Sequence, residues 1–103
     1  MSYISDMDYE VRLTAEFADW LDALDDEIAK AAVAERLIRV RRGLFGDHAS
    51  VGDRVSELRI HYGPGYRAYY TIRERVVVFM LVGGSKRTQK RDIRRAREIA
   101  AEL

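Results

Sequence analysis

The chain has 103 residues, of which 48% are apolar, with no cysteine and a formal net charge of +1. This composition predicts one globular domain over residues 1–103, and the missing cysteines exclude disulfides and thiolate chemistry. The N-terminus lacks the basic and apolar segments of a signal peptide, and the longest apolar run, Val76 to Val82, is far shorter than a membrane span. We therefore expect a cytoplasmic protein without membrane contact, in which residues 1–8 form a disordered tail.

The small net charge hides a strong segregation of acidic and basic residues. Residues 1–35 hold ten acidic and two basic residues, whereas residues 36–103 hold sixteen basic and seven acidic ones. Such a division predicts one acidic and one basic face, of which the basic face would suit phosphate groups or an acidic protein. Two solvated helices of opposite charge would give the same pattern, so charge alone leaves nucleic-acid binding open.

The N-terminal half of the chain predicts a short strand and a helical hairpin. Apolar residues alternate from Tyr9 to Leu13, and Thr14 is a suitable N-cap for the helix that follows. Asp25-Asp26 interrupts that helix and can cap a second one from about Glu27 to Arg42. Residues 45–54 are predicted to be a loop. The apolar stripe of the second helix is predicted to consist of Val33, Leu37, Val40 and Leu44.

The C-terminal half predicts three strands in an antiparallel meander. Period-two alternation predicts strands over Val55 to Ile60 and Tyr66 to Ile72. Gly63-Pro64-Gly65 joins them and predicts a type II turn with proline at its second position. The apolar run Val76 to Val82 predicts a strand covered on both faces, which Gly83-Gly84 is expected to end.

The last segment, from Lys86 to about Ala101, predicts a basic helix with a thin apolar stripe at Ile93, Ala96 and Ala100. The predicted order is therefore β-α-α-β-β-β-α. The first strand must join the later three to bury its apolar side chains. This order predicts an α+β fold, with an antiparallel-rich sheet packed on the helical hairpin and the C-terminal helix.

Arginine, lysine and tyrosine form the main candidate site. Arg59 and Arg67 are predicted to lie on one sheet face, where two guanidinium groups would suit a phosphodiester. Tyr69 on the same face could stack on a base or bind a phosphate oxygen, and Lys86 would enter at the end of the sheet. A cross-strand ladder in which Glu57 pairs with Arg59 explains the same residues, and the pattern leaves both interpretations open.

Metal-dependent chemistry has little support in the sequence. His48 and His61 are the only histidines, and neither lies at a metal-ligand spacing from another candidate ligand. The run Gly83-Gly84-Ser85-Lys86 is too short for a phosphate-binding Walker motif. No cofactor is therefore expected.

Several short motifs at family spacing resemble the RelE/ParE toxin superfamily of type II toxin-antitoxin modules. They are E-L-R-I at 57–60, G-P-G-Y-R-A-Y-Y at 63–70, the G-G-x-K step at 83–86, and Gln89 with Asp92-Ile93. With G-D at 46–47, the resemblance runs from about Phe17 to Ala100. It is strongest to the HigB-like, phage-derived "addiction module killer" branch, and it implies a RelE-like fold.

The resemblance implies a toxin that inhibits translation as a ribosome-dependent, metal-independent mRNA endonuclease. Its expected partners are the ribosome, mRNA and a cognate antitoxin, which would be a small helix-turn-helix DNA-binding protein of the Xre or HigA type. The residues expected to take part in catalysis are Arg59, Arg67, Tyr69, Lys86, Glu57 and His61. Those expected to bind RNA through the basic helix are Arg87, Lys90, Arg91, Arg94 and Arg95.

Two positions depart from the family pattern. Ser85 replaces an aspartate that usually precedes the lysine, and Arg54 stands where a small residue, commonly glycine, is frequent. Ser85 keeps open a degenerate toxin that acts only as a co-repressor with its antitoxin. A ParE-like toxin that poisons DNA gyrase without cleaving nucleic acid is a further alternative. The presence of Arg59, Arg67 and Lys86 favours the endonuclease over the gyrase poison.

Overall fold

The computed structural model describes residues 8–103, so the predicted tail lies outside the described residues except for Asp8. None of the helices in this part of the chain is long and apolar enough to cross a membrane. The elements in chain order are β1 Glu10–Leu13, α1 Ala15–Asp22, α2 Glu27–Arg41, β2 His48–Gly52, β3 Val55–Ile60, β4 Tyr66–Arg73, β5 Val77–Ser85, a 3₁₀ turn Lys86–Thr88 and α3 Gln89–Ala101.

The helical hairpin begins at the two N-caps that the sequence predicts. Thr14 Oγ1 accepts a hydrogen bond from the backbone N–H of Phe17 at 3.0 Å. Asp26 Oδ1 accepts one from the backbone N–H of Ile28 at 2.9 Å. A side chain that satisfies a free N–H in this way stabilises a helix by about 1 kcal/mol relative to alanine.

The predicted apolar stripe of α2 is correct except at its C-terminal end. Val33 and Val40 are fully buried, whereas Leu44 is 61% exposed, so the prediction for Leu44 was wrong. The helix ends before Leu44 because Gly43 takes a left-handed conformation, with φ of 79°. Glycine reaches this conformation without a steric penalty and therefore terminates helices readily.

Five strands of the described chain form one sheet in the order β1-β5-β4-β3-β2. β1 runs parallel to β5, and the other three pairs of neighbours are antiparallel. The antiparallel-rich α+β fold and the placement of β1 in the sheet confirm the predictions from the sequence.

β2, at one edge of the sheet, lies in the segment that was predicted to be a loop. This prediction was wrong, because His48–Gly52 pairs antiparallel with β3 and places Ala49 opposite Glu57. The strand is short, and its exposed His48 and Ser50 alternate with only two half-buried apolar residues. Such an edge strand has too weak an alternating pattern to be recognised from sequence.

Helices cover the sheet on both faces and create two apolar clusters. α1 and α2 cover the first face, and α3 covers the second; β5 contacts both α1 and α3, as predicted for a strand that is covered on both sides. The first cluster is built around Phe17, Val33, Val40, Leu58, Ile60, Ala68, Tyr70, Val78 and Met80. The second is built around Val55, Tyr69, Leu81, Val82, Ala96 and Ala100.

Gly83-Gly84 lets helices approach β5 from both sides. The prediction that these glycines end the strand was wrong, because β5 continues to Ser85. A Cβ atom on Gly83 would lie 2.2 Å from the indole of Trp20 in α1, and a Cβ on Gly84 would lie 1.9 Å from Oδ2 of Asp92 in α3. Both distances are far shorter than a van der Waals contact, so the close packing of these helices requires glycine at both positions.

Candidate functional site

Arg59 and Arg67 occupy directly opposite positions on β3 and β4. The two residues are Cα partners in the antiparallel ladder. Glu57 and Tyr69, which lie two residues further along the strands on the same face, form another such pair. The prediction that the two arginines share a sheet face is therefore confirmed. Like charges placed directly opposite each other destabilise a sheet, so an opposing charge is needed nearby.

The carboxylate of Glu57 supplies that charge from a buried position. Its side chain is 3% exposed, and Oε2 accepts a hydrogen bond from Arg59 Nε at 2.8 Å. Oε1 accepts one from Gln89 Nε2 in α3 at 3.0 Å and lies 4.0 Å from Arg67 Nε. The bond from Glu57 raises the pKa of Arg59. The predicted ladder between Glu57 and Arg59 is thus present, and Gln89 joins it to the C-terminal helix.

Arg67 differs from Arg59 in what its guanidinium contacts. Its side chain is only 11% exposed, yet its Nε is buried without a hydrogen-bond partner among residues 8–103. A buried N–H donor without an acceptor costs about 1–3 kcal/mol. This Nε is therefore held beside the carboxylate of Glu57 without a hydrogen bond among the described residues.

Asp47 connects the arginine pair to His61. Its Oδ1 lies 3.4 Å from Arg59 Nη1, and its Oδ2 lies 2.5 Å from His61 Nε2. The bond with His61 is the main cause that lowers the pKa of Asp47. Sequence reasoning gave Asp47 no role, although the G-D pair at 46–47 belongs to the motifs that carried the resemblance.

Arg36 of α2 fixes the segment that carries Asp47. Its Nη1 donates to the carbonyl oxygen of Arg59 at 2.6 Å, and its Nη2 donates to those of Phe45 and Asp47 at 2.8 and 3.2 Å. One guanidinium thus satisfies three carbonyl oxygens and holds this segment against β3. The sequence pattern did not single out this residue, because its contacts join parts of the chain that are far apart.

An open pocket of about 350 Å³, here called the clamp pocket, lies at the end of the sheet beside the turn between β3 and β4. Its walls are the turn itself and the side chains of His61, Arg67 and Lys86. The backbone N–H of Lys86 donates to the carbonyl oxygen of Gly65 at 2.8 Å and so fixes Lys86 beside the turn. Three of the predicted catalytic residues therefore meet at one cavity.

The turn at this pocket differs from the predicted type II geometry. The backbone N–H of Gly65 donates to the carbonyl oxygen of Tyr62 at 3.1 Å, which puts Gly63 at the second position and Pro64 at the third. The prediction of proline at the second position was wrong by one residue. Gly63 and Gly65 have φ of 57° and 80°, so both glycines use left-handed conformations that other residues rarely adopt.

Tyr69 does not reach the surface where a base could stack on it. Its side chain is fully buried under α3, and its hydroxyl has no hydrogen-bond partner in the described part of the chain. Burial, and then the nearby charge of Glu57, raise the pKa of Tyr69 far above its usual value. The expectation that this ring contacts RNA is therefore wrong for this conformation, because α3 covers it.

Ser85 caps the 3₁₀ turn that leads into α3. Its Oγ accepts a hydrogen bond from the backbone N–H of Arg87 at 3.2 Å, and its own N–H donates to Thr88 Oγ1 at 3.3 Å. Serine and aspartate are about equally good N-caps. The departure from the family pattern at this position thus preserves the capping contact.

The basic residues of the last segment have different surroundings. Arg87, Lys90, Arg91 and Arg94 are exposed, whereas Arg95 is held by Glu16 of α1 at 2.7 Å and by Glu98 at 3.2 Å. Arg95 is therefore held by two carboxylates, and its expected contact with RNA stays a prediction. Residues 8–103 hold no group of three or more histidine, cysteine, aspartate or glutamate side chains that could bind a metal ion.

The arrangement of strands and helices is that of the RelE-like fold. The chain matches the structure of a mutant of the E. coli toxin RelE in the free state with a TM-score of 0.72, over 90% of this chain and 99% of that chain, at 19% sequence identity.

Sequence comparison gives the family. The chain belongs to the family described as phage-derived protein Gp49-like (DUF891), which matches residues 19–102 and is of the RelE/ParE type. The resemblance to the RelE/ParE superfamily drawn from the motifs is thereby confirmed. A relative from Haemophilus influenzae, described as an uncharacterized protein, is 42% identical over 97 residues, which are 94% of this chain and 98% of the relative.

Proposed function

We propose that this protein is the toxin of a type II toxin-antitoxin module and cleaves mRNA on the ribosome. The toxin assignment is supported by the Gp49-like family and by the RelE-like fold. The observation that carries the cleavage activity is the meeting of Arg67, Lys86 and His61 at the clamp pocket. Assignment to the HigB-like branch, with a helix-turn-helix antitoxin as partner, belongs to the same proposal.

The chemistry that suits these residues is attack by a ribose 2′-hydroxyl on the adjacent phosphorus. The new P–O2′ bond forms as the P–O5′ bond breaks, which leaves a 2′,3′-cyclic phosphate and a 5′-hydroxyl. Arg67 and Lys86 stabilise the negative charge that develops on the phosphate oxygens. A single preorganised donor of this kind is typically worth about 10²–10³ in rate.

Proton transfer is assigned to His61 rather than to Tyr69 or Glu57. Histidine is the side chain that most often acts as general acid or base, and His61 lines the clamp pocket while its Nε2 contacts Asp47. It takes the 2′-hydroxyl proton, and the leaving O5′ takes a proton from solvent. Glu57 is buried and already accepts hydrogen bonds from Arg59 and Gln89, so its role is to position the arginines.

The proposal is tested by the chemistry of the RNA ends. Purified protein is added to ribosomes that carry a defined mRNA, and the 3′ and 5′ ends of the fragments are identified. We expect 2′,3′-cyclic phosphate and 5′-hydroxyl ends. Fragments with 5′-phosphates would contradict attack by the 2′-hydroxyl, and growth arrest in cells without any mRNA cleavage would contradict the endonuclease itself.

A further inference from the structure

Asp47 lies on a segment whose backbone is held in place just before β2. Its carbonyl oxygen accepts hydrogen bonds from the backbone N–H of Arg59 at 3.0 Å and from Arg36 Nη2 at 3.2 Å. The same Nη2 also donates to the carbonyl oxygen of Phe45 at 2.8 Å, so the residues on this segment are tied to α2 and β3 together. The carboxylate of Asp47 is therefore presented from a fixed backbone at the C-terminal end of β3.

The two oxygens of this carboxylate have different partners. Oδ1 lies 3.4 Å from Arg59 Nη1, whereas Oδ2 lies 2.5 Å from His61 Nε2. The pKa of Asp47 is below its usual value, so the carboxylate is ionised at neutral pH and can only accept hydrogen bonds. The hydrogen in the contact with His61 is therefore on Nε2. In a neutral imidazole, this leaves Nδ1 as the nitrogen that can accept a proton.

The imidazole of His61 is accessible from the clamp pocket. Its side chain is 71% exposed and lines this pocket together with Arg67 and Lys86. Exposed ion pairs contribute little to the stability of a protein. The contact between Asp47 and His61 is therefore better suited to orient the ring than to hold the fold together.

We propose that Asp47 is a positioning residue for RNA cleavage, which fixes the Nε2–H tautomer of His61 and leaves Nδ1 free as the base. This inference rests on the proposed function, in which His61 takes the proton of the 2′-hydroxyl. The O–H electron pair forms the new P–O2′ bond, and the proton moves to Nδ1. The ring becomes an imidazolium, whose charge Asp47 stabilises, while O5′ leaves with the pair of the broken P–O5′ bond and takes a proton from solvent.

The tautomer of His61 can be measured in the free protein. Nitrogen NMR shifts distinguish a protonated ring nitrogen from an unprotonated one, and they are recorded without RNA at a pH where the ring is neutral. In Asp47→Asn the amide oxygen suits the Arg59 donor, which turns the NH₂ group toward His61 and makes Nε2 an acceptor. We expect Nε2–H in the wild type and Nδ1–H in Asp47→Asn. The same tautomer in both proteins would overturn the proposal.

Two replacements of Asp47 separate a positioning role from a structural one. The single-turnover rate on ribosome-bound mRNA should fall by about 10²–10⁴ in Asp47→Asn, as for loss of a general base, because Nδ1 then carries the hydrogen. Asp47→Ala leaves both tautomers available and should lose less, although it also removes the contact with Arg59. A structural role predicts the reverse order, since asparagine is the closer replacement. An Asp47→Asn variant that cleaves as fast as Asp47→Ala, or faster, would therefore contradict the role of Asp47.

The His61→Ala background shows whether Asp47 acts through His61. Residues that act as a unit have non-additive effects, so adding Asp47→Asn to His61→Ala should change the rate by less than about threefold. Losses that multiply would mean that Asp47 acts through Arg59 instead and would overturn the proposal. Circular dichroism of each variant verifies the fold.

The two proposals fail separately because the tautomer is measured without RNA. A wild-type protein that cleaves no RNA, while the tautomers switch as expected, would contradict the proposed function. Cleavage by the wild type with the same tautomer in both proteins would contradict only the role of Asp47.

Discussion

At Glu57, one buried carboxylate allows two arginines to stand opposite each other on neighbouring strands. It accepts hydrogen bonds from Arg59 and Gln89 and lies 4.0 Å from Arg67 Nε. A buried charge is costly unless it is paired, and removal of one partner typically destabilises by about 3–5 kcal/mol. This explains why strands can carry both arginines: they share one carboxylate.

The buried hydroxyl of Tyr69 has no hydrogen-bond partner among residues 8–103, and this leads to a prediction about a single residue. Tyr69→Phe removes that polar group, so the free energy of unfolding at pH 7 should rise by about 1 kcal/mol or stay constant. Tyr62→Phe is the control, because the hydroxyl of Tyr62 donates to Asp26 Oδ2 at 2.8 Å and its loss should destabilise. Urea unfolding compares them, and a Tyr69→Phe variant less stable than Tyr62→Phe would contradict this account.

The raised pKa of Tyr69 also predicts how stability changes in alkali. Because its pKa is higher in the folded chain than the ordinary value of 10.0, its contribution is complete below about pH 10 and is lost as the pH rises toward the folded pKa. The wild type should lose stability above pH 10 with a steeper slope than Tyr69→Phe, by at most about 1.4 kcal/mol per pH unit. Parallel slopes for the two proteins would show that the Tyr69 hydroxyl is accessible to solvent.

At the scale of elements, the hairpin between β2 and β3 contains backbone strain. Asp53 and Arg54 form its tip with φ of 54° and 64°, and both lie in the left-handed region. A residue other than glycine pays about 1–2 kcal/mol there. This gives a physical reason for the glycine that the family resemblance leads us to expect where Arg54 stands.

Replacement of Arg54 by glycine should therefore stabilise the protein. We expect Arg54→Gly to raise the free energy of unfolding by about 1 kcal/mol, because glycine takes the left-handed conformation without a penalty. Arg54→Ala is the matched control, since it removes the same side chain but keeps the Cβ atom, and it should give no gain. Equal stabilities for the two variants in thermal unfolding would show that φ at this position is not a source of strain.

The elements that could be predicted from sequence are those with a strong periodic pattern or a cap. Thr14 and Asp26 begin the helices as predicted, and period-two alternation correctly placed Arg59 and Arg67 on one face. β2 was missed because an edge strand is half solvated and short. The β5 boundary was misplaced because the two glycines there serve packing against α1 and α3 rather than chain reversal.

The candidate site was predictable only where it follows strand alternation. The link from Arg59 through Asp47 to His61 joins β3 to the segment before β2, and no spacing in the sequence indicates it. The burial of Tyr69 depends on where α3 packs. The alternation of side chains along a strand does not indicate which face a helix will cover. The same holds for Arg95, whose partner Glu16 is 79 residues away.

At the scale of the whole molecule, the acidic and basic halves of the sequence meet at an ion pair between helices. Glu16 of the acidic α1 is bonded to Arg95 of the basic α3, and this bond lowers the pKa of Glu16. Among the other basic residues of α3, Lys90 and Arg94 are exposed and have no carboxylate partner among residues 8–103, whereas Arg91 lies 3.4 Å from Asp92 and Arg97 lies 3.6 Å from Asp53. The fold thus uses Arg95 to join α1 to α3.

This contact predicts part of the acid sensitivity of the protein. Because the pKa of Glu16 is lower in the folded chain than its ordinary value of 4.5, its contribution is complete above about pH 4.5 and is lost as the pH falls. Glu16→Gln should therefore lose less stability than the wild type between pH 5 and pH 3. Asp19→Asn, on the same helix but without an ion pair among residues 8–103, is the control, and an equal acid response in all three proteins would contradict this role for Glu16.

Cleavage of ribosome-bound mRNA by the Arg67→Ala variant tests the central claim most directly. Arg67 lines the clamp pocket, and its loss leaves Glu57 bonded to Arg59 and Gln89, so the fold should persist. The single-turnover rate should fall by about 10²–10³, whereas Arg41→Ala, at the far end of α2, should cleave like the wild type. A folded Arg67→Ala protein that cleaves within about threefold of the wild-type rate would contradict the phosphate clamp.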